Sequence, residues 1–171
     1  MCLLCSEAAY GGRGIAIMER PAHRLHGLAW EGTDEAAAGG AVRAVIAEVK
    51  AWSDGRASLW KSPIAMLSWN DRPGGFRCFV GIAPEEGEAL PEGFSAIDLP
   101  EMRFVAAWHG PDDGLVVSRY GAMIDWLRGS GYRRDATQFH QREEYPHDAD
   151  LGRPHTLRLM LPVVSEAGET R

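Results

Sequence analysis

Glu143 and Tyr145 stand two residues apart in Arg142-Glu143-Glu144-Tyr145, the spacing that puts a carboxylate and a phenol on one face of a β-strand. A carboxylate held among aromatic rings in a low-dielectric cleft captures a cation by ion pairing and cation–π attraction, and such a site also admits neutral planar compounds. If burial raises its pKa, the same group becomes a general base that activates water against a strained electrophile. A solvated Glu143 paired to Arg142 or Arg158 is the alternative use of these residues. The ring-bearing candidates for the same cleft are Trp30, Trp69, Trp108 and Tyr120, with core packing the competing use for Trp30 and Trp108.

Other chemistries find less support. Cys2-x-x-Cys5 has only Cys78 as a third thiol, and His23-x-x-His26 has no partner at a zinc-ligand spacing, so no metal site is expected. Gly11-Gly-Arg-Gly14 lacks the preceding strand and the following Lys-Ser/Thr of a phosphate loop. No cofactor motif is present and no nucleophile elbow, although the members of a Ser, His and Asp triad meet in space and need no motif.

The elements that must position these groups come in two copies. Pro21-x-x-Arg24 leads to Ala29-Trp30-Glu-Gly32, and Pro100-x-x-Arg103 leads to Ala107-Trp108-His-Gly110, with one extra residue in the first copy. A helix follows each Trp strand. Val42, Val45, Ile46, Val49 and Trp52 form one apolar stripe behind a Thr33 or Asp34 cap. Val116, Tyr120, Met123 and Leu127 form the other, between an Asp112-Asp113 cap and a stop at Gly129-Ser-Gly131. Residues 63–69 and 76–80 then read as strands around the turn 70–75, and residues 138–145 and 156–161 as strands around the loop 147–154. Each unit is strand, helix, strand, strand. Repeat one covers about residues 15–84, an acidic linker 85–93, repeat two 94–164, and a frayed tail 165–171. The expected fold is a single α+β domain, with two small sheets or one curved antiparallel sheet.

The 171 residues carry 18 basic and 24 acidic side chains, a net charge of −6 with no basic cluster, which argues against nucleic acid as a direct partner. With 45% hydrophobic and 25% charged residues, the composition excludes disordered, coiled-coil and membrane classes. Three cysteines and no export signal fit reduced thiols in a cytoplasm. Exposed edge strands leave a homodimer open.

Several short motifs carry a resemblance: Leu90-Pro-Glu-Gly-Phe94, Pro100-x-x-Arg103, His109-Gly-Pro111, Trp126-Leu-x-x-Ser-Gly-Tyr132, Arg142-Glu-Glu-Tyr145 and Leu161-Pro-Val163. In order and spacing they resemble the GyrI-like, or AraC-type effector-binding, family of small-molecule binding domains, over roughly residues 15–164. The resemblance implies two repeats related by a pseudo-twofold axis with a central ligand cleft, and ligands that are hydrophobic and often cationic. It implies a stand-alone binding protein that sequesters or senses its ligand, because 171 residues leave no room for a helix-turn-helix. Some free-standing relatives hydrolyse reactive cyclopropane-bearing compounds, which would make Glu143 a base and Tyr145 a proton donor. Others inhibit DNA gyrase, for which Glu85-Glu86-Gly87-Glu88 would imitate phosphate charge; a separately encoded regulator is another possible protein partner. The family's binding carboxylate stands in the penultimate strand as Glu-x-Tyr, which points to Glu143. Counting from Tyr132 at the family's spacing lands instead on His140, with Arg142 in the Tyr place and no carboxylate. The two registers remain alternatives at the level of sequence.

Overall fold

The computed structural model describes residues 14–59 and 61–167, so Cys2, Cys5 and the end of the tail lie outside the described residues. In chain order the elements are β1 (Ala16–Arg20), β2 (His23–Thr33), α1 (Asp34–Ala38), α2 (Ala41–Asp54), β3 (Ile64–Arg72), β4 (Gly75–Ile82), β5 (Ser95–Leu99), β6 (Met102–His109), α3 (Val116–Leu127), β7 (Tyr132–Arg134), β8 (Gln141–Tyr145) and β9 (Leu157–Ser165). All nine strands join one antiparallel sheet in the order β1-β6-β9-β8-β3-β4-β2-β5, with β7 paired to β9. The helices and strands read from the sequence are all present, and β1, β5 and β7 are added to them.

Two very short connections dictate the shape of this sheet. Only Pro21 and Ala22 join β1 to β2, and only Pro100 and Glu101 join β5 to β6. Three Cα–Cα steps span at most about 11 Å, whereas six strand spacings in a flat sheet would hold β1 and β2 about 29 Å apart. The sheet therefore curls until its ends approach. Residues from both ends meet inside the curl: Leu25 of β2, Leu99 of β5, Phe104 of β6 and Met18 of β1 share a cluster with Leu67, Phe79, Phe139 and Met160. The other face carries the helices over Ile64, Met66, Val80, Ile82, Leu159 and Leu161.

Helix details differ from expectation in two places. Thr33 does cap, with Oγ1 accepting from the Ala36 amide at 3.1 Å, but the helix it starts ends at Gly39. Gly40, at φ 102°, turns the chain before α2 begins, a conformation that only glycine adopts without strain. Leu115, not Asp112 or Asp113, occupies the N-cap of α3; Asp113 instead closes the preceding turn by accepting from the Gly110 amide at 2.7 Å. The buried stripes are as expected, Val42, Ile46 and Val49 on α2 and Tyr120, Met123 and Leu127 on α3.

Where β2 crosses β4, Gly27 faces Gly81, and a Cβ on Gly27 would lie 1.9 Å from the Val80 carbonyl oxygen. Backbone cannot yield as a flexible side chain does. Gly27→Ala is expected to cost about 2 kcal/mol or more, read as a lowered midpoint in urea; an unchanged midpoint would show that the β2–β4 pairing is slack there. Among the described residues no helix is long and apolar enough to cross a membrane.

Candidate functional site

β8 is an interior strand, paired to β3 on one side and to β9 on the other. Its five residues alternate between the faces, so Glu143 and Tyr145 face the helices while Arg142 and Glu144 face the inside of the curl. The register puts Met66 and Leu159 on either side of Glu143. α2 packs over β2, β3 and β4 and α3 over β6, which leaves β8 between them.

Glu143 remains partly open to solvent, whereas its partners Tyr120 and Tyr145 are 9% and 7% exposed. Tyr120, projecting from α3, donates its hydroxyl to Oε1 at 3.3 Å, and the Tyr145 hydroxyl donates to Oε2 in a short hydrogen bond. Among the described residues no Lys or Arg makes an ion pair with this carboxylate. Burial pushes the Glu143 carboxyl above the ordinary range, and the two phenol hydroxyls and the nearby His155 and His109 only partly oppose it. Both tyrosines are pushed up in turn, by burial first and by the Glu143 charge second, so they stay protonated donors. The ring of His155 lies 5.6 Å from that of Tyr145. Cys78 is raised to about 11 by burial and by Glu143, which keeps it a thiol.

The neighbouring carboxylate is tuned the other way. Glu144 is fully buried and accepts from Arg20 at 3.0 and 2.8 Å and from Arg142 at 3.0 Å, with Arg158 at 3.7 Å. Burial alone would raise it, but Arg142, Arg20 and Arg158 outweigh burial and hold it below the usual carboxylate range. Arg142 also reaches Nε2 of His23 at 3.0 Å, while His23 Nδ1 donates to the Pro21 carbonyl at 2.7 Å. Burial and the Arg142 charge lower the His23 pKa, which keeps that ring neutral and accepting. Two adjacent carboxyl groups thus have opposite tasks: Glu144 is an ionic anchor, and Glu143 is the one whose charge is least compensated.

The aromatic candidates are dispersed. Trp30 sits on the helix-bearing face, half-buried against Phe76 at 5.3 Å, but on β2, three strands from β8. Trp69 lies on the other face, packed on Phe139 at 6.2 Å, with its Nε1 donating to the Gln138 carbonyl at 2.7 Å. Trp108 also points inside the curl, opposite Arg158, whose guanidinium lies 4.4 Å from its ring centre. Trp69 and Trp108 therefore lie on the opposite face of the sheet from Glu143. His140 precedes β8; its amide donates to Ser68 and its Nδ1 accepts from the Asn70 amide at 3.2 Å, so it fastens the end of β3 rather than facing Glu143.

Sequence reasoning missed His109, His155, Cys78 and the Arg20–Arg142–Arg158–Glu144 network. Only the network left a signal, the charged residues alternating with Glu143 and Tyr145 along β8. Among the described residues no group of three His, Cys, Asp or Glu side chains is placed to hold a metal ion.

This fold is shared with solved structures at low sequence identity. The EcmrR chain of a complex with DNA superposes with a TM-score of 0.63 at 15% identity, covering 95% of this chain and 62% of that one, so the present chain spans less than two thirds of it. SAV2435 bound to tetraphenylphosphonium gives 0.61 at 13% identity, over 88% and 94% of the two chains. A hydrolase from Listeria innocua gives 0.60 at 17% identity, over 96% and 100%. No curated protein matches the sequence. The family described as GyrI-like small molecule binding domain matches residues 15–164, nearly the whole chain. A carboxylate bonded by two phenols is therefore set in a small-molecule binding framework, and the chain belongs to the GyrI-like small molecule binding domain family.

Proposed function

We propose that the protein binds small hydrophobic cations, and planar compounds of similar size, over β8 between α2 and α3. Glu143 supplies the charge, and Tyr120 and Tyr145 are its flanking rings. The single observation that carries this reading is the desolvated Glu143 carboxylate of a half-buried residue, bonded by two phenols without a basic partner among the described residues. A cation entering there regains the counter-charge that the protein withholds. SAV2435, similar in fold, is bound to tetraphenylphosphonium, which supports the same ligand class here. The strand order supports a pseudo-twofold relation between the two repeats, because β6-β9-β8 on one side of the β8–β3 pair answers β2-β4-β3 on the other. Binding of this kind would serve sequestration or sensing.

The test is a fluorescence titration with tetraphenylphosphonium at a series of pH values. Only the ionised carboxylate attracts a cation, so affinity is expected to fall as pH drops through the Glu143 pKa, which lies above 4.5. A neutral planar ligand should show no such fall. Glu143→Gln separates the part of the carboxylate from that of the neighbouring His109 and His155. Tetraphenylphosphonium affinity that is flat with pH would refute the role of Glu143.

Hydrolysis is the second reading, favoured by the pairing of the Tyr145 hydroxyl with the Glu143 carboxylate. Glu143 would take a proton from the attacking water, whose oxygen bonds to the electrophilic carbon, and Tyr145 would give a proton to the leaving atom. Its mark is a product one water heavier than the substrate. The gyrase-directed reading weakens because Arg56 already grips Glu88 at 2.8 and 2.5 Å, leaving fewer free carboxylates on the acidic stretch.

A further inference from the structure

His109 ends β6 on the helix-bearing face, and the strand registers put it in one cross-strand row with Leu157 and Tyr145, about 10 Å from Tyr145 by two strand spacings. Its ring is 5% exposed. Nε2 lies 3.1 Å from the Gly114 carbonyl oxygen, and a carbonyl only accepts, so Nε2 carries the proton and Nδ1 is left as a bare acceptor. Among the described residues Nδ1 has no hydrogen-bond partner, although it is buried. Glu143 stands two residues from Tyr145 on that same face of the sheet. A buried acceptor without a donor is costly, and a ligand that brings a donor relieves that cost.

Resting on the reading of Glu143 as the ligand's counter-charge, we propose that the site selects protonated amines, cations that carry an N–H, and that His109 Nδ1 is its second acceptor. A quaternary cation satisfies Glu143 alone. A protonated amine satisfies the carboxylate by charge and the imidazole by a hydrogen bond. His26 is an internal control: its Nδ1 is also buried without a partner, but it lies on β2, three strands from Tyr145.

The probes are N,N-dimethylbenzylammonium and its quaternary counterpart N,N,N-trimethylbenzylammonium, titrated calorimetrically at neutral pH. His109→Gln keeps a donor for Gly114 and removes the Nδ1 acceptor. It is expected to weaken the tertiary ammonium about 10-fold and leave the quaternary one unchanged, with His26→Gln changing neither. An unchanged tertiary affinity in His109→Gln, or equal affinities in the wild type, would overturn the role of His109 while leaving that of Glu143 intact. If instead Glu143→Gln left the quaternary affinity unchanged, the underlying reading would fail. Should His109→Gln melt early, the imidazole nitrogen resonance of His109 Nδ1 in the wild type decides the same question. It must shift with the tertiary ammonium and not with the quaternary one; equal shifts would refute the proposal.

Discussion

Glu143→Gln should weaken tetraphenylphosphonium binding by about 30-fold or more while raising the melting temperature. The first effect follows from removing one partner of a desolvated charge pair, which costs about 2 kcal/mol or more. The second follows from the sign of the Glu143 shift. A carboxyl whose folded pKa is raised stabilises the fold below the unfolded value of 4.5, and that contribution is lost as pH rises through the folded pKa. At neutral pH the charge therefore opposes folding, and the neutral amide, which still accepts from Tyr120 or Tyr145, relieves it. A gain of about 1 kcal/mol corresponds to about 2–4 °C for a chain of this size. Calorimetric melts with ligand titrations on the same preparations check both, and a variant that bound less and also melted lower would point to a structural Glu143.

Glu144→Gln should do the opposite one residue away. It would leave Arg142 and Arg158, at 4% and 5% exposure, facing one another without their shared carboxylate. Breaking a buried ion pair in this manner costs about 3–5 kcal/mol, or roughly 10 °C in melting temperature. Here the folded pKa is depressed, so the stabilisation is present above the unfolded value of 4.5 and disappears as pH falls through the folded one. The wild type should lose stability in acid by a route that Glu144→Gln has already lost, and the melting curves of the two should converge at low pH. A variant as stable as wild type at pH 7 would mean that the arginines find other partners at no cost.

The elements were legible where one face of a segment is apolar. The stripes of α2 and α3 and the alternation in β9 follow directly from burial on one side. The face of an aromatic residue on a doubly buried strand was not, because apolarity then carries no information about direction. Trp69 follows Ala65 and Leu67 into the curl, while Ile64 and Met66 face the helices. Trp108 faces away from Glu143 for a more specific reason. Trp30 follows its Arg by six positions and Trp108 by five, and a one-residue offset in a strand turns every side chain to the other face. The same period-two rule put Glu143 and Tyr145 on a common face. It could not reveal that Tyr120 would descend from a helix to complete them, since that contact joins residues 23 apart through tertiary packing.

The order in which the strands pair also bears on how the chain is made. β1 emerges first, yet its partner is β6, and β3 waits for β8 at residues 141–145. While the second half is still being synthesised, the first half presents two unpaired edges. Arg20 meets Glu144 only after 124 further residues. Such long-range closures slow folding and leave nascent chains exposed to association. Glu143 itself lies on a strand held between β3 and β9, so its surroundings are complete only when strands from both halves of the chain have paired.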